Sequence, residues 1–224
     1  MMTHTFKTIS RTLMGCVALC ILPTMTTGCA TAAYNIQERF GIEKRDILVD
    51  RVASAAESQA DAKEEFVDAL TAFRAIVAVD GGALEDAYDD MSKAYDRADS
   101  QADKARSRVE AVKKVARDLF KEWESELGQY SDAGLRRASE QQLRDTQDRY
   151  EILADKMDAA TASMDPVLSV FKDRVLYLKH NLNARAISAI DTETATLESD
   201  VARLIADMEQ SISAADAFIQ EMNG

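Results

Sequence analysis

A chain of 224 residues with 39 acidic against 27 basic side chains, net −12, is repelled by polyanions, which argues against nucleic-acid binding and against coulombic attraction to anionic lipid. Two prolines, eight glycines and an excess of Ala, Glu, Asp, Lys, Arg, Leu and Gln favour long helices over strands. Three cysteines and two histidines leave little for chemistry that needs thiolates or imidazoles.

Residues 1–11 carry Lys7 and Arg11 and no acid, a short basic lead into the apolar run TLMGCVALCILPTM at 12–25. That run has the length of a signal-peptide core and is too short for a membrane span, which needs roughly 20 apolar residues. Thr26-Thr27-Gly28-Cys29 resembles a bacterial lipobox, departing from it at Thr26, where an aliphatic residue is usual. The other reading is an ordinary cleaved signal with an incidental Cys. Cys16 and Cys20 would leave with residues 1–28, so Cys29 becomes the sole thiol of the mature chain. No intrachain disulfide is then available, and acylation of Cys29 would remove an exposed thiol that is a liability outside the cell. One acyl chain holds only marginally, whereas the two or three that the lipoprotein resemblance implies would hold persistently. Ala30 follows the Cys where Asp does not, and by the same resemblance this favours the outer membrane, facing the periplasm. Losing residues 1–28 removes two cations and no acid, taking the charge from −12 to −14.

The domain plan expected is a lipoprotein-type signal at 1–28, a lipidated tether at 29–33 and a single helical domain at 34–224. Helix breakers sit at Gly41, at Asp80-Gly81-Gly82, between Gly128 and Gly134, and at Asp165-Pro166. Between them apolar residues recur at alternating steps of four and three, the mark of coiled-coil-like seams. The first seam is Leu48, Val52, Ala55, Gln59, Ala62, Phe66, Ala69, Phe73, Ile76, with Gln59 its one polar entry. The second runs from Leu84 through Tyr88, Met91, Tyr95 and the alanines at 98, 102 and 105 to Leu119 and Trp123. Asp80-Gly81-Gly82 reads as a tight reversal between antiparallel neighbours. At about 45 residues each, these two helices would be roughly 68 Å long. Ser131 or Asp132 is the expected N-cap after the second reversal. The third seam, Leu143 to Phe171, keeps register through Pro166, so Pro166 either kinks one helix or, with Asp165 as cap, starts another. The last seam is Ile190, Thr194, Leu197, Val201, Leu204, Met208, Ile212, Ala215, Ile219, Met222, and its preceding reversal is placed at Asp191-Thr192, before Glu193. The fold class expected is all-α: an elongated antiparallel helical bundle or coiled coil of three to four long helices.

The mature chain has one His, His180, which rules out Cys/His zinc sites and the paired Glu-x-x-His pattern of di-iron bundles within one chain. No nucleophile-elbow, Walker or dinucleotide-binding glycine pattern occurs. No catalytic residue, metal ligand or cofactor is therefore expected, and the chain reads as a non-enzyme. One stretch stands apart: residues 164–187 carry Lys172, Arg174, Lys179 and Arg185 against two acids, whereas residues 191–224 carry eight acids against Arg203. Within it Lys179, His180, Asn181, Asn183 and Arg185 form a polar cluster beside Val175, Leu178, Leu182 and Ile187. It reads either as a patch for an anionic ligand or protein partner, or as ion pairing with acidic helices plus helix capping. Leu135-Arg136-Arg137 with Gln141, Gln142 and Arg144 is a second polar block with the same two readings. Trp123, Tyr88 and Tyr95 lie on the seam and read as core.

FGIEKRDILVDRV at 40–52, LEDAY at 84–88, EWESELGQYS at 122–131, LRRASEQQLRDTQDRY at 135–150 and MDPVL…VLYLKHNLNARAI at 164–187 resemble an uncharacterised proteobacterial family, domain of unknown function 2959. The resemblance implies a secreted or lipid-anchored helical protein and brings no activity or site residues. The expectation is a lipid-anchored envelope scaffold, spacer or adaptor, held to the membrane through Cys29, with an envelope protein as partner and its oligomeric state open. The alternative is a periplasmic binding module working through the cluster at 179–185.

Overall fold

Each apolar stripe at helical spacing must be covered by another helix, and four such stripes cover one another. The structure, a computed structural model, describes residues 44–79, 83–191 and 194–223. The signal segment, Cys29, the tether, Gly41, the turn Asp80-Gly81-Gly82, and Thr192 with Glu193 all lie outside the described residues.

Helix α1 is Lys44–Val77 and α2 is Leu84–Glu126, followed by a single 3-10 turn, Leu127–Gln129. Helices α3 (Ala133–Ala162) and α4 (Met164–His180) meet at Ser163, α5 is the short Ala184–Asp191, and α6 is Thr194–Asn223. No strand occurs among the described residues. At 1.5 Å per residue, α1 with 34 residues is about 51 Å long and α2 with 43 about 65 Å. Helix α1 packs on α2 and α6, and α3 and α4 close the ring by packing on both α2 and α6. Ion pairs confirm the alternating direction: Lys44–Glu122, Arg97–Glu65 and Lys104–Asp61 join α1 to α2, while Lys63–Glu209 and Arg74–Glu198 join α1 to α6. The result is an up-down-up-down four-helix bundle, with α3 and α4 together forming one of its four rods.

Pro166 is where that rod bends. Ser163 keeps helical dihedrals, φ −71° and ψ −16°, and serves as both the last cap of α3 and the first of α4. Pro166 has no N–H for the Ala162 carbonyl and its ring crowds that turn. The Ser163 hydroxyl donates to the Ala159 carbonyl at 2.8 Å and lies 2.6 Å from Asp207 Oδ2, which pins the bend to α6. Ala160, Met164, Val167 and Phe171 stay buried on either side, so the seam passes through unbroken. Asp165 is not the cap; it pairs with Arg106 at 2.5 Å.

All nine entries of the first seam are buried, Gln59 included. Helix α6 departs from its expected stripe. It buries Ser211 and Phe218, while Ile212 and Ile219 are partly covered, because α6 lies between α1 and α3 and must present a face wider than one seam. The core falls into two apolar clusters. One holds Phe66, Phe73, Ile76, Met91, Phe171 and Leu178; the other holds Leu48, Val52, Val112, Phe120, Leu153 and Phe218. Around the midpoint lie small side chains, Ala55, Ala62, Ala102, Ala105 and Ala160, with the buried polar residues Ser58, Gln59 and Ser211. Among the described residues neither the Oε1 nor the Nε2 of Gln59 has a hydrogen-bond partner, and the same holds for the Ser58 and Ser211 hydroxyls.

Candidate functional site

The polar cluster at 179–185 sits where α4 stops. No Gly or Pro ends the helix; two asparagines do. Asn181 leaves helical geometry at φ −133°, its N–H donates to the Leu178 carbonyl at 3.0 Å, and its Nδ2 donates to the Tyr177 carbonyl at 2.9 Å. Asn183 then caps α5, its Oδ1 accepting from Ala186 N at 3.1 Å. Helix α5 then places Ala186, Ile187 and Ile190 in the core and ends at Asp191, where the last reversal is expected, its other residues Thr192 and Glu193 lying outside the described residues. The side chains of Asn181 and Asn183 are thus used by the backbone, as side-chain capping of helix ends requires.

Lys179, His180 and Arg185 differ from them. All three are exposed, and none forms an ion pair with a described residue. Lys179 and His180 lie in the last turn of α4, where the carbonyl end of the helix favours positive charge. The apolar neighbours Leu176 and Tyr177 are 49% and 43% exposed, so the outer face of α4 carries two uncovered hydrophobic side chains beside its cations. Sequence reasoning missed that pair, since no periodicity separates an apolar residue one position off the seam from a core one. The cluster lies at the α1 C-terminal end of the bundle, alongside Ile76 and Leu84. That is about 51 Å, the length of α1, from where the chain enters at Lys44.

The second polar block is a solvated helix face at the opposite end. Arg136 pairs with Glu140 at 2.9 Å, Gln141 donates to Asp145 at 2.7 Å and Arg144 donates to Gln141 at 2.9 Å, all within α3. Asp132 is its N-cap: one carboxylate oxygen accepts from Gly134 N at 2.7 Å and Leu135 N at 2.9 Å. A Cβ at Gly134 would sit 3.0 Å from that oxygen, so glycine permits the tight cap. Trp123 is part of the core's edge, and its indole donates to the Ser139 hydroxyl at 2.8 Å. Tyr88 and Tyr95 are partly buried against the core.

Burial and then the carboxylates of Asp99 and Asp96 push the Tyr95 phenol up, and burial does the same to Tyr150. Burial works to lower Lys113, but hydrogen bonds to Asp158 and Glu110 outweigh it and hold the ammonium above its usual value. These are structural interactions on helix flanks, away from the cluster at 179–185. No group of three His, Cys, Asp or Glu side chains suited to a metal occurs among the described residues. An open groove between α3 and α6, about 580 Å³, is lined by Lys156, Glu209, Gln210, Ser213 and alanines. No described helix is long and apolar enough to cross a membrane.

Fold and surface together define an all-helical bundle whose outward-facing feature is a cationic, partly apolar helix end. The family model described as protein of unknown function DUF2959 matches residues 33–222, and the chain belongs to that family. No curated protein and no solved structure matches it.

Proposed function

We propose that the protein is a non-enzymatic, lipid-anchored component of the cell envelope, acting as a scaffold, spacer or adaptor at the outer membrane, facing the periplasm. The observation that carries this reading is polarity along the bundle. The chain enters at Lys44, downstream of the sole mature cysteine, and the cationic end of α4 lies one helix length away. A bundle joined by its first helix to a lipidated cysteine 15 positions upstream, with a charged helix end at the far end of that helix, suits a part that holds a partner off the membrane. The decisive experiment compares the native protein with Cys29→Ser in envelope membranes, by intact mass and by crosslinking. The native chain is expected to carry acyl mass and stay with the membrane while the variant does not; a native chain without lipid mass refutes the anchor.

The exposed pair Leu176 and Tyr177 beside Lys179 and Arg185 favours a second reading, a binding module for an anionic ligand or protein partner. Charge reversal at Lys179 and Arg185 should abolish crosslinking to that partner and leave the anchor untouched. His180→Ala is expected to change no activity, because the non-enzymatic reading gives the imidazole no chemical role.

A further inference from the structure

We infer that the solvent face of α6 pairs with the same face of a second copy of this chain, antiparallel and about a two-fold axis. The inference is independent of the anchor proposed above. It starts from a contrast between the outer faces of the bundle. On α1 the line of residues turned away from the core carries Asp50, Glu57, Glu64 and Asp68, as a solvated face in a chain with 29% charged residues should. On α6 the equivalent line reads Ala195, Ser199, Ala202, Ala206, Ser213 and Ala217, all exposed, with Gln210 and Gln220 completing it. No charge interrupts it from Ala195 to Gln220, about 38 Å at the helical rise.

Small side chains along a helix let another helix approach to the short end of the usual interaxial range, about 8 Å. The groove of about 580 Å³ lies along this strip, with Ala206, Ser213 and Ala217 in its lining and Lys156 of α3 at its border. One turn before Lys156, Ile152 is 63% exposed, the most exposed large apolar side chain among the described residues.

Self-complementarity selects a second copy as the occupant. On the side of the strip turned to α3 and α4, the charges are of opposite sign at the two ends. Arg203 lies beside Ser163 and Pro166, and Glu221 pairs with Arg149. An antiparallel two-fold at the level of Ser211 and Ile212 keeps this side facing itself and brings each Arg203 to Glu221 of the other copy. A parallel pairing would set Arg203 against Arg203. The same two-fold places Ala206 opposite Ala217 of the second copy and Gln210 opposite Ser213, so that methyl meets methyl and carboxamide meets hydroxyl. On the α1 side, Glu198 and Glu209 are already paired with Arg74 and Lys63, which leaves Asp216 as the one further acid on that flank. A strip of this length and about one helix width, with Ile152 and Lys156 added, buries close to about 1,000 Å² over both copies. That is the lower limit for a specific interface, so the dimer is weak and reversible.

Two measurements on the full chain test the pairing. In sedimentation equilibrium in density-matched detergent, the native protein is expected to show a monomer–dimer equilibrium with a Kd of roughly 1–100 µM. Ala206→Glu keeps a good helix former and places a charge in the middle of the strip, so it should weaken the dimer about tenfold or more, with circular dichroism verifying an intact bundle. Disulfide trapping then reads the direction. The Ala206→Cys, Ala217→Cys double variant should form a covalent dimer on mild oxidation, as should a mixture of the two single variants. Either single variant alone should stay at the level of the native chain, because like positions stand about 16 Å apart along antiparallel helices in this register. A native chain that remains monomeric at the highest concentration reached, a dimer that Ala206→Glu leaves untouched, a double variant without covalent dimer, or a disulfide formed by Ala206→Cys alone each overturns the inference.

Discussion

Gln59 offers the sharpest quantitative prediction. Its side chain is 0% exposed, and neither end of its carboxamide meets a partner among the described residues. A buried polar group without a hydrogen bond costs about 1–3 kcal/mol relative to its hydrated state. Gln59→Met keeps an unbranched side chain of similar length and removes both polar ends, so it should stabilise the bundle by roughly that amount, about 1–3 kcal/mol. For a domain of this size each kcal/mol corresponds to about 2–4 °C in Tm, which makes the expected rise several degrees. Urea unfolding, followed by far-UV circular dichroism and by Trp123 fluorescence, measures the change directly. A variant less stable than the native chain by more than about 1 kcal/mol would refute the reasoning, because the carboxamide would then be making hydrogen bonds that methionine cannot replace. Gln59→Ala controls for volume, since it removes the same polarity but leaves unfilled space.

Three further predictions follow from packing and electrostatics. Phe171 is fully buried and meets Phe73 edge-on at 6.4 Å, so Phe171→Ala should cost about 3–5 kcal/mol in chemical denaturation, among the largest effects of any single truncation. Asp132→Ala removes the cap of α3 and should cost about 0.5–2 kcal/mol, with faster amide exchange confined to the first turn of that helix. Stability should hold up to the pH at which Lys and Tyr ionise in the unfolded chain and fall above it. Folding raises the pKa of Lys113, Tyr95 and Tyr150, so above pH ~10 the unfolded state gives up protons that the folded state still binds. Denaturant midpoints across alkaline pH, read beside tyrosinate absorbance, test that sign; a rising midpoint above pH ~10 would contradict it.

Legibility in the sequence tracked how each helix is surrounded. The first seam was read correctly to the residue, because between Leu48 and Ile76 the spacing of apolar side chains coincides with the strip that α1 turns inward. The register of α6 drifted after Met208, where covering by helices on two sides buries Ser211 and Phe218, a choice that hydrophobicity alone would not make. At Pro166 the unbroken register points to a kink over a separate helix; the deciding group is Ser163, whose hydroxyl bonds back to Ala159 and across to Asp207, a tertiary contact without a local signature. The end of α4 was missed because asparagines, in place of Gly or Pro, stop it. A pair of Asn residues two apart, each able to hydrogen-bond a nearby backbone group, was the signal present. At the cluster itself, residue types pointed to cations at a helix end, but the exposure of Leu176 and Tyr177 depends on which face α4 turns to its neighbours.

The division of the core has a mechanical consequence. The alanine-lined polar midpoint around Gln59 separates two apolar blocks, each closed by its own aromatic contacts: Phe73 with Phe171 in one, Phe120 and Phe218 around Tyr150 in the other. Strain applied at the end where α4 stops therefore loads the first block, and the polar layer is the natural place for it to stop. Amide exchange should accordingly resolve two cooperative units, with the half nearest Lys44 outlasting a partial opening of the other. A bundle divided in this way can open at one end while the other end stays folded.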